Sequence, residues 1–217
     1  MKIFPWHSVV IAFLVSNFGA TALCAELEDM SAMHEHHHVM QLMEKTRTQI
    51  VDYKLPQVQL VRNDGKNVSF ADELNDGRPV VMNFIYTSCT TICPLASRTL
   101  SELQDKLGDE RSTIHIVSVS VDPEQDTPEV LTKYAKKYSA DKEWDFYTGT
   151  VEASIAAQRA FNVYRGDKMQ HNPVTFIRAA PGKPWLRIEG FAKSDELLHN
   201  IMAMEKPGEA QAVKVAY

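Results

Sequence analysis

Seven consecutive residues, Val80-Val81-Met82-Asn83-Phe84-Ile85-Tyr86, are apolar enough to be buried on both faces of a strand. The chain then turns through Ser88-Cys89-Thr90-Thr91-Ile92-Cys93 to Pro94, a residue suited to the start of a helix because its missing N–H would be unpaired there anyway. That helix is predicted to run from Pro94 to about Gly108, a C-terminal breaker. Ile114 to Val121 follows with strand-like alternation, so the core of the chain reads as a βαβ unit. The whole sequence holds three cysteines, and two of them, Cys89 and Cys93, occupy the first strand-to-helix turn. The helix N-terminus is expected to favour the Cys93 thiolate, and both metal binding and disulfide exchange need a thiolate. The spacing fits either chemistry.

Around this unit the pattern continues. Val58–Val61 and Asn67–Phe70, separated by Arg62-Asn63-Asp64-Gly65-Lys66, predict a β-hairpin with an Asp-Gly turn. Thr127-Pro128 starts a second helix to about Tyr138, Trp144–Thr148 is a short strand, and Val151–Phe161 a third helix. Val174–Arg178 and Trp185–Phe191 form a pair of strands, and Ser194 caps a last helix to about Met204. A βαβ half followed by a ββα half, with paired cysteines at the first turn, predicts an α/β, thioredoxin-like fold with an N-terminal β-hairpin extension. The expected organisation is a leader over 1–25, a Met/His-rich flexible segment over 26–52, a globular domain over 53–204 and a tail over 205–217.

The leader has Lys2, an apolar stretch from Val9 to Phe18 and small residues near Ala20–Ala25, as a secretory signal peptide does. Its apolar run is short of the roughly 20 residues that span a bilayer. Cys24 raises lipidation, against which the bulky Leu23 argues. Export to the periplasm is the expectation, and there a free cysteine pair must be kept reduced by a partner or protected by a metal. Met30, Met33, His34, His36, His37, His38, Met40 and Met43 lie within fourteen positions. Thioethers suit Cu(I) and imidazoles suit copper in either state, so the segment reads as an auxiliary copper collector, or else as a solvated helical leader in which the methionines pack. A net charge of −5 without a basic stripe excludes nucleic acid as the partner.

Three signatures resemble the Sco/SenC family, associated with copper delivery to the CuA centre of cytochrome c oxidase. Tyr86-Thr87-Ser88-Cys89-Thr90-Thr91-Ile92-Cys93-Pro94 is similar to that family's cysteine turn. Ser118-Val119-Ser120-Val121-Asp122-Pro123-Glu124-Gln125-Asp126-Thr127-Pro128 is close to its Asp-Pro to Asp-Thr-Pro run, and His171 stands where the family places its histidine ligand. The resemblance covers roughly Tyr53 to Met204. It implies a copper site of Cys89, Cys93 and His171 and an apo-cuproprotein acceptor, the oxidase subunit that carries CuA. A departure is Asn172-Pro173 after His171, which is closer to the cis-proline of thioredoxins.

Two thiolates and one imidazole suit Cu(I), whereas Cu(II) would need another ligand, such as water or Asp167. Asp122 is read either as an orienting or docking residue or as a loop cap; His115 and His199 are read as structural or surface residues. Two functions compete. A copper chaperone would hold the ion through Cys89, Cys93 and His171 and pass it on by ligand exchange. A thiol:disulfide oxidoreductase, kept active by a periplasmic thiol reductant, would attack with Cys89 and resolve with Cys93, and would not need His171. A structural disulfide between the two cysteines is the third, plainer alternative.

Overall fold

The computed structural model describes residues 46–205, and the predicted leader, all eight Met and His residues of the 30–43 cluster and the C-terminal tail lie outside them. In chain order the elements are β1 (Arg47–Val51), β2 (Gln59–Arg62), β3 (Asn67–Ser69), α1 (Phe70–Leu74), β4 (Val80–Ile85), α2 (Ile92–Leu107), β5 (His115–Ser120) and α3 (Pro128–Lys137). They continue with β6 (Trp144–Thr148), α4 (Val151–Ala160), β7 (Val174–Arg178), β8 (Trp185–Glu189) and α5 (Ser194–Glu205), with short 3₁₀ turns at Gly108–Thr113 and Lys168–Gln170.

One mixed sheet has the order β1-β8-β7-β4-β5-β6-β2-β3. β4, β5 and β6 run parallel, with Val80 opposite His115 and Ile116 opposite Trp144, while β7 lies antiparallel to β4. Every residue of β4 and β5 is buried because helices cover both faces. Successive side chains of β4 point to opposite faces. Val81 and Ile85 pack with Leu100 and Leu103 of α2, Leu131 of α3 and Leu197 of α5. Val80, Met82 and Phe84 pack with Phe70, Leu74, Ala157 and Phe161 on the other face. Phe161 anchors that second layer, its ring 5.1 Å from Phe176 and 5.2 Å from Trp185. Each such aromatic or Leu side chain, fully enclosed, contributes about 1.5–3 kcal/mol.

The predicted hairpin is present as β2 and β3, with Gly65 at φ +85° supplying the left-handed turn residue, and it extends the sheet by pairing β2 with β6. The α/β, thioredoxin-like fold is the one expected. Two local differences have clear causes. α2 begins at Ile92, not at Pro94, because proline is tolerated anywhere in a first turn whose N–H groups need no partner. The polar stretch Arg47–Val51, assigned from sequence to the flexible segment, is an edge strand held by β8. The Asn172-Pro173 bond is trans, like every peptide bond among the described residues, so it does not share the cis geometry that sets thioredoxins apart.

Candidate metal centre

The carboxyl ends of β4 and β5 and the start of β7 converge on one edge, where open α/β sheets place their ligands. Asp126, fully buried, ties this edge together. Its carboxylate accepts from the Thr87 N–H at 3.2 Å, from Thr87 Oγ1 at 2.5 Å and from Ser120 Oγ at 2.6 Å. The end of β4 is thereby fixed to the end of β5 just before the cysteine turn.

In that turn the Cys89 N–H donates to the Tyr86 carbonyl at 3.2 Å. Thr91, at the cap position of α2, makes no side-chain capping bond. The Cys89 sulfur does so instead, accepting from the Cys93 N–H at 3.4 Å, as a capping side chain accepts from the second residue of a helix. Cys89 and Cys93 are both free and buried, 7% and 2% exposed. The Cys93 thiol donates to the Cys89 sulfur, and with the N–H groups of Cys93 and Thr91 and the Tyr86 hydroxyl it draws the Cys89 pKa down to about 4, against the opposing effect of burial. Cys93 is pushed far up, first by serving as that donor, then by burial and by the Cys89 charge. The expected preference for a Cys93 thiolate is therefore reversed. The helix N-terminus aims its N–H groups at the sulfur before the helix, so Cys89 carries the charge and Cys93 keeps its proton.

His171 closes the Lys168–Gln170 turn, 7% exposed. Its Nε2 lies 3.0 Å from the Phe84 carbonyl. A carbonyl can only accept, so Nε2 carries the proton and Nδ1 keeps a lone pair for a ligand. Burial holds its pKa below the ordinary histidine value, which keeps the ring neutral and fit for metal binding. Cys93 and His171 line a common cavity of about 20 Å³, room for one water-sized guest. Asn83 also lines it, and its Nδ2 is buried without a partner. The sulfur pair and the imidazole are brought to one edge but not closed into a ligand set: their donor atoms do not all lie within 4.8 Å of one another. Thiol sulfurs and an imidazole are soft and borderline donors of the kind that bind Cu(I), and in this structure they stand apart.

Other residues have taken up distinct roles. Asp122 receives the Lys168 ammonium at 2.5 Å, which ties the His171 loop to the end of β5. Asp167 accepts from the Met169 N–H at 2.9 Å and so caps the turn. His115, 1% exposed, is structural as expected: its Nε2 lies 3.1 Å from Asp145 and its Nδ1 3.4 Å from Asp76. Glu73, His115 and Asp145 are the one group of three metal-ligating side chains gathered within 4.8 Å among the described residues. The Arg62 guanidinium leans on both carboxylates, at 3.4 and 3.7 Å, so this cluster is already charge-compensated. Sequence alone gave no signal for it, because its members come from α1, β5, β6 and the end of β2.

A thioredoxin-like fold with a cysteine pair and a histidine at one sheet edge defines a class of thiol or metal-handling proteins. The sequence profile of the SCO1/SenC family matches residues 48–204, and the chain belongs to that family. It is 39% identical over 106 residues to the SCO1 protein homolog of Bacillus subtilis, covering 48% of this chain and 54% of that protein. It thus spans about half the length of the curated relatives it matches. Among solved structures, BsSco, described as a member of the Sco family of cytochrome c oxidase assembly proteins with a disulfide switch, superposes with a TM-score of 0.60 at 28% identity. That match covers 72% of this chain and 95% of the other. Arabidopsis thaliana ScoI with copper bound gives a TM-score of 0.57 at 26% identity over 66% of this chain and 92% of the other. No helix among the described residues is long and apolar enough to cross a membrane.

Proposed function

We propose that this chain is an exported copper chaperone. It takes copper as cargo on Cys89, Cys93 and His171 and passes it to an apo-cuproprotein, the CuA-bearing subunit of cytochrome c oxidase. The observation that carries this reading is the pairing of one thiolate, one adjacent thiol and one neutral, buried imidazole at a single sheet edge. Soft thiolates select Cu(I), and the imidazole completes a three-ligand set that disulfide exchange has no use for. The membership of the chain in the family and the copper-bound relative support it. Handover follows from the asymmetry of the pair. Copper displaces the proton shared between the sulfurs, and returning that proton to Cys93 releases one ligand at a time to the acceptor.

The test is an anaerobic Cu(I) titration of the reduced chain against a chelator of known affinity, with His171→Ala and Cys89→Ser alongside. Cys89→Ser should abolish tight binding at the core, and His171→Ala should weaken it about 10- to 100-fold, as loss of a metal-site partner does. A His171→Ala variant with undiminished affinity would refute the site.

A second reading has its own support. A Cys89 thiolate beside a protonated Cys93 is the arrangement of an attacking and a resolving cysteine. Cys89 would attack a partner disulfide and expel one partner thiolate; Cys93, giving its proton to solvent, would then displace the second and leave the Cys89–Cys93 disulfide. The disulfide switch of BsSco supports it. Restored oxidase assembly by His171→Ala, but not by Cys89→Ser, would favour this reading, since only copper handover needs the imidazole.

A further inference from the structure

Met169 is 71% exposed, yet it sits in the best-anchored turn at this edge. Asp167 caps its N–H at 2.9 Å, Lys168 beside it is bound to Asp122, and His171 two residues on is fixed to the Phe84 carbonyl. A rigid turn that holds a thioether out in solvent gains nothing from burial, which is what a methionine ordinarily contributes. Four large apolar side chains are exposed among the described residues, Ile50, Val151, Met169 and Met202. Of these, Met169 alone combines a metal-binding atom with a place at the His171 edge. Its sulfur is also not free to wander. The Tyr86 hydroxyl lies 3.6 Å from Met169 Sδ, and the Tyr86 carbonyl accepts from the Cys89 N–H at 3.2 Å, so one residue links the thioether to the cysteine turn.

We propose that Met169 is a fourth soft donor of the copper site, the ligand that meets Cu(I) first on loading and last on release. The proposal rests on the copper reading given above. A thioether is neutral at every working pH, binds Cu(I) in preference to harder ions, and holds it weakly enough to let go. Cu(I) arrives on the Met169 and Cys89 sulfurs; the Cys93 sulfur then joins, its proton passing to water, and Met169 departs as His171 closes. Copper remains Cu(I) throughout, and each step exchanges one copper–ligand bond for another. The methionine side chain has three rotatable bonds, so changes of rotamer carry its sulfur over a range of positions at this edge.

The experiment uses the full chain, reduced, with its methionine methyl groups ¹³C-labelled and the Met169 signal identified from Met169→Leu. Cu(I) is added anaerobically as its acetonitrile complex. The proposal expects the Met169 methyl to shift or broaden with the equivalent that titrates the cysteines, and Met169→Leu to slow Cu(I) transfer to a competing chelator about tenfold. If the cysteines take up copper while the Met169 methyl stays still and Met169→Leu transfers at the unmodified rate, the proposal is overturned and the chaperone reading stands. If the reduced cysteines take up no Cu(I), both are overturned.

Discussion

Replacing Asp126 by asparagine should loosen the copper edge without touching a sulfur. The carboxylate receives three donor groups, the Thr87 N–H, the Thr87 hydroxyl and the Ser120 hydroxyl, on two fully buried oxygens. Asparagine offers only one acceptor oxygen. In either amide orientation its NH₂ faces a hydrogen that formerly had an acceptor, so one buried donor is left unpaired, at about 1–3 kcal/mol. The surviving bonds lose their charge assistance, worth roughly another 1 kcal/mol together. A loss of about 3 kcal/mol in a fold of this size corresponds to a drop of roughly 6–12 °C in Tm. The assay is thermal unfolding of the reduced chain, with hydrogen exchange at the Thr87 amide as the local readout. A double-mutant cycle with Thr87→Ala should give coupling of at least about 0.5 kcal/mol. A Tm within roughly 2 °C of the unmodified chain, or additive effects in the cycle, would refute the claim that this carboxylate fastens β4 to β5.

Two further outcomes follow from the cysteines and from the segment before the fold. Cys89 has a pKa of about 4 when folded and an ordinary thiol value near 8.5 when unfolded, so between these pH values the unfolded chain binds the extra proton and stability rises with pH. Above about 8.5 the raised pKa of Cys93 reverses the slope. Melts of the reduced chain from pH 5 to 8 should therefore show a rise that Cys89→Ser removes; an unchanged slope in that variant would disprove the charge assignment. Deleting residues 30–43 should lower the copper stoichiometry while leaving binding at the core intact, and equal stoichiometry with and without them would leave that segment only a solvated role.

The parts of the fold visible in the sequence are those specified by local pattern. β4 and β5 are buried on both faces and announce themselves as apolar runs, and Thr127 before Pro128 marks α3 by capping chemistry. β1 escaped because four of its five residues are exposed and its strand character comes from β8, more than 130 positions later. α1 has five residues, too few for a helical period to register. At the site, residue identity and spacing pointed to Cys89 and Cys93, and the family resemblance pointed to His171. The direction of polarisation between the sulfurs did not follow, because it depends on which of them faces the N–H groups of Thr91 and Cys93, and only the turn geometry decides that. The clamps on the site, Asp126 to Thr87 and Lys168 to Asp122, join residues some 40 positions apart and leave no local signature.

The edge strand β1 also fixes where the polypeptide arrives. Arg47 is opposite Glu189 on β8, and Glu189 is opposite Val174 on β7, three residues after His171. Two strand spacings put Arg47 about 10 Å from the start of β7. Thr46 is pinned there by its hydroxyl, which donates to Glu196 at 2.6 Å. Met43 is four residues upstream of Arg47, no more than about 14 Å of fully extended chain. A donor atom tethered on so short a leash meets the site at an effective concentration in the millimolar range, whatever the concentration of free metal outside. Copper held by such a donor would reach Cys89 and His171 by an intramolecular step, and lengthening the tether between Met43 and Arg47 would weaken that advantage without altering a single ligand.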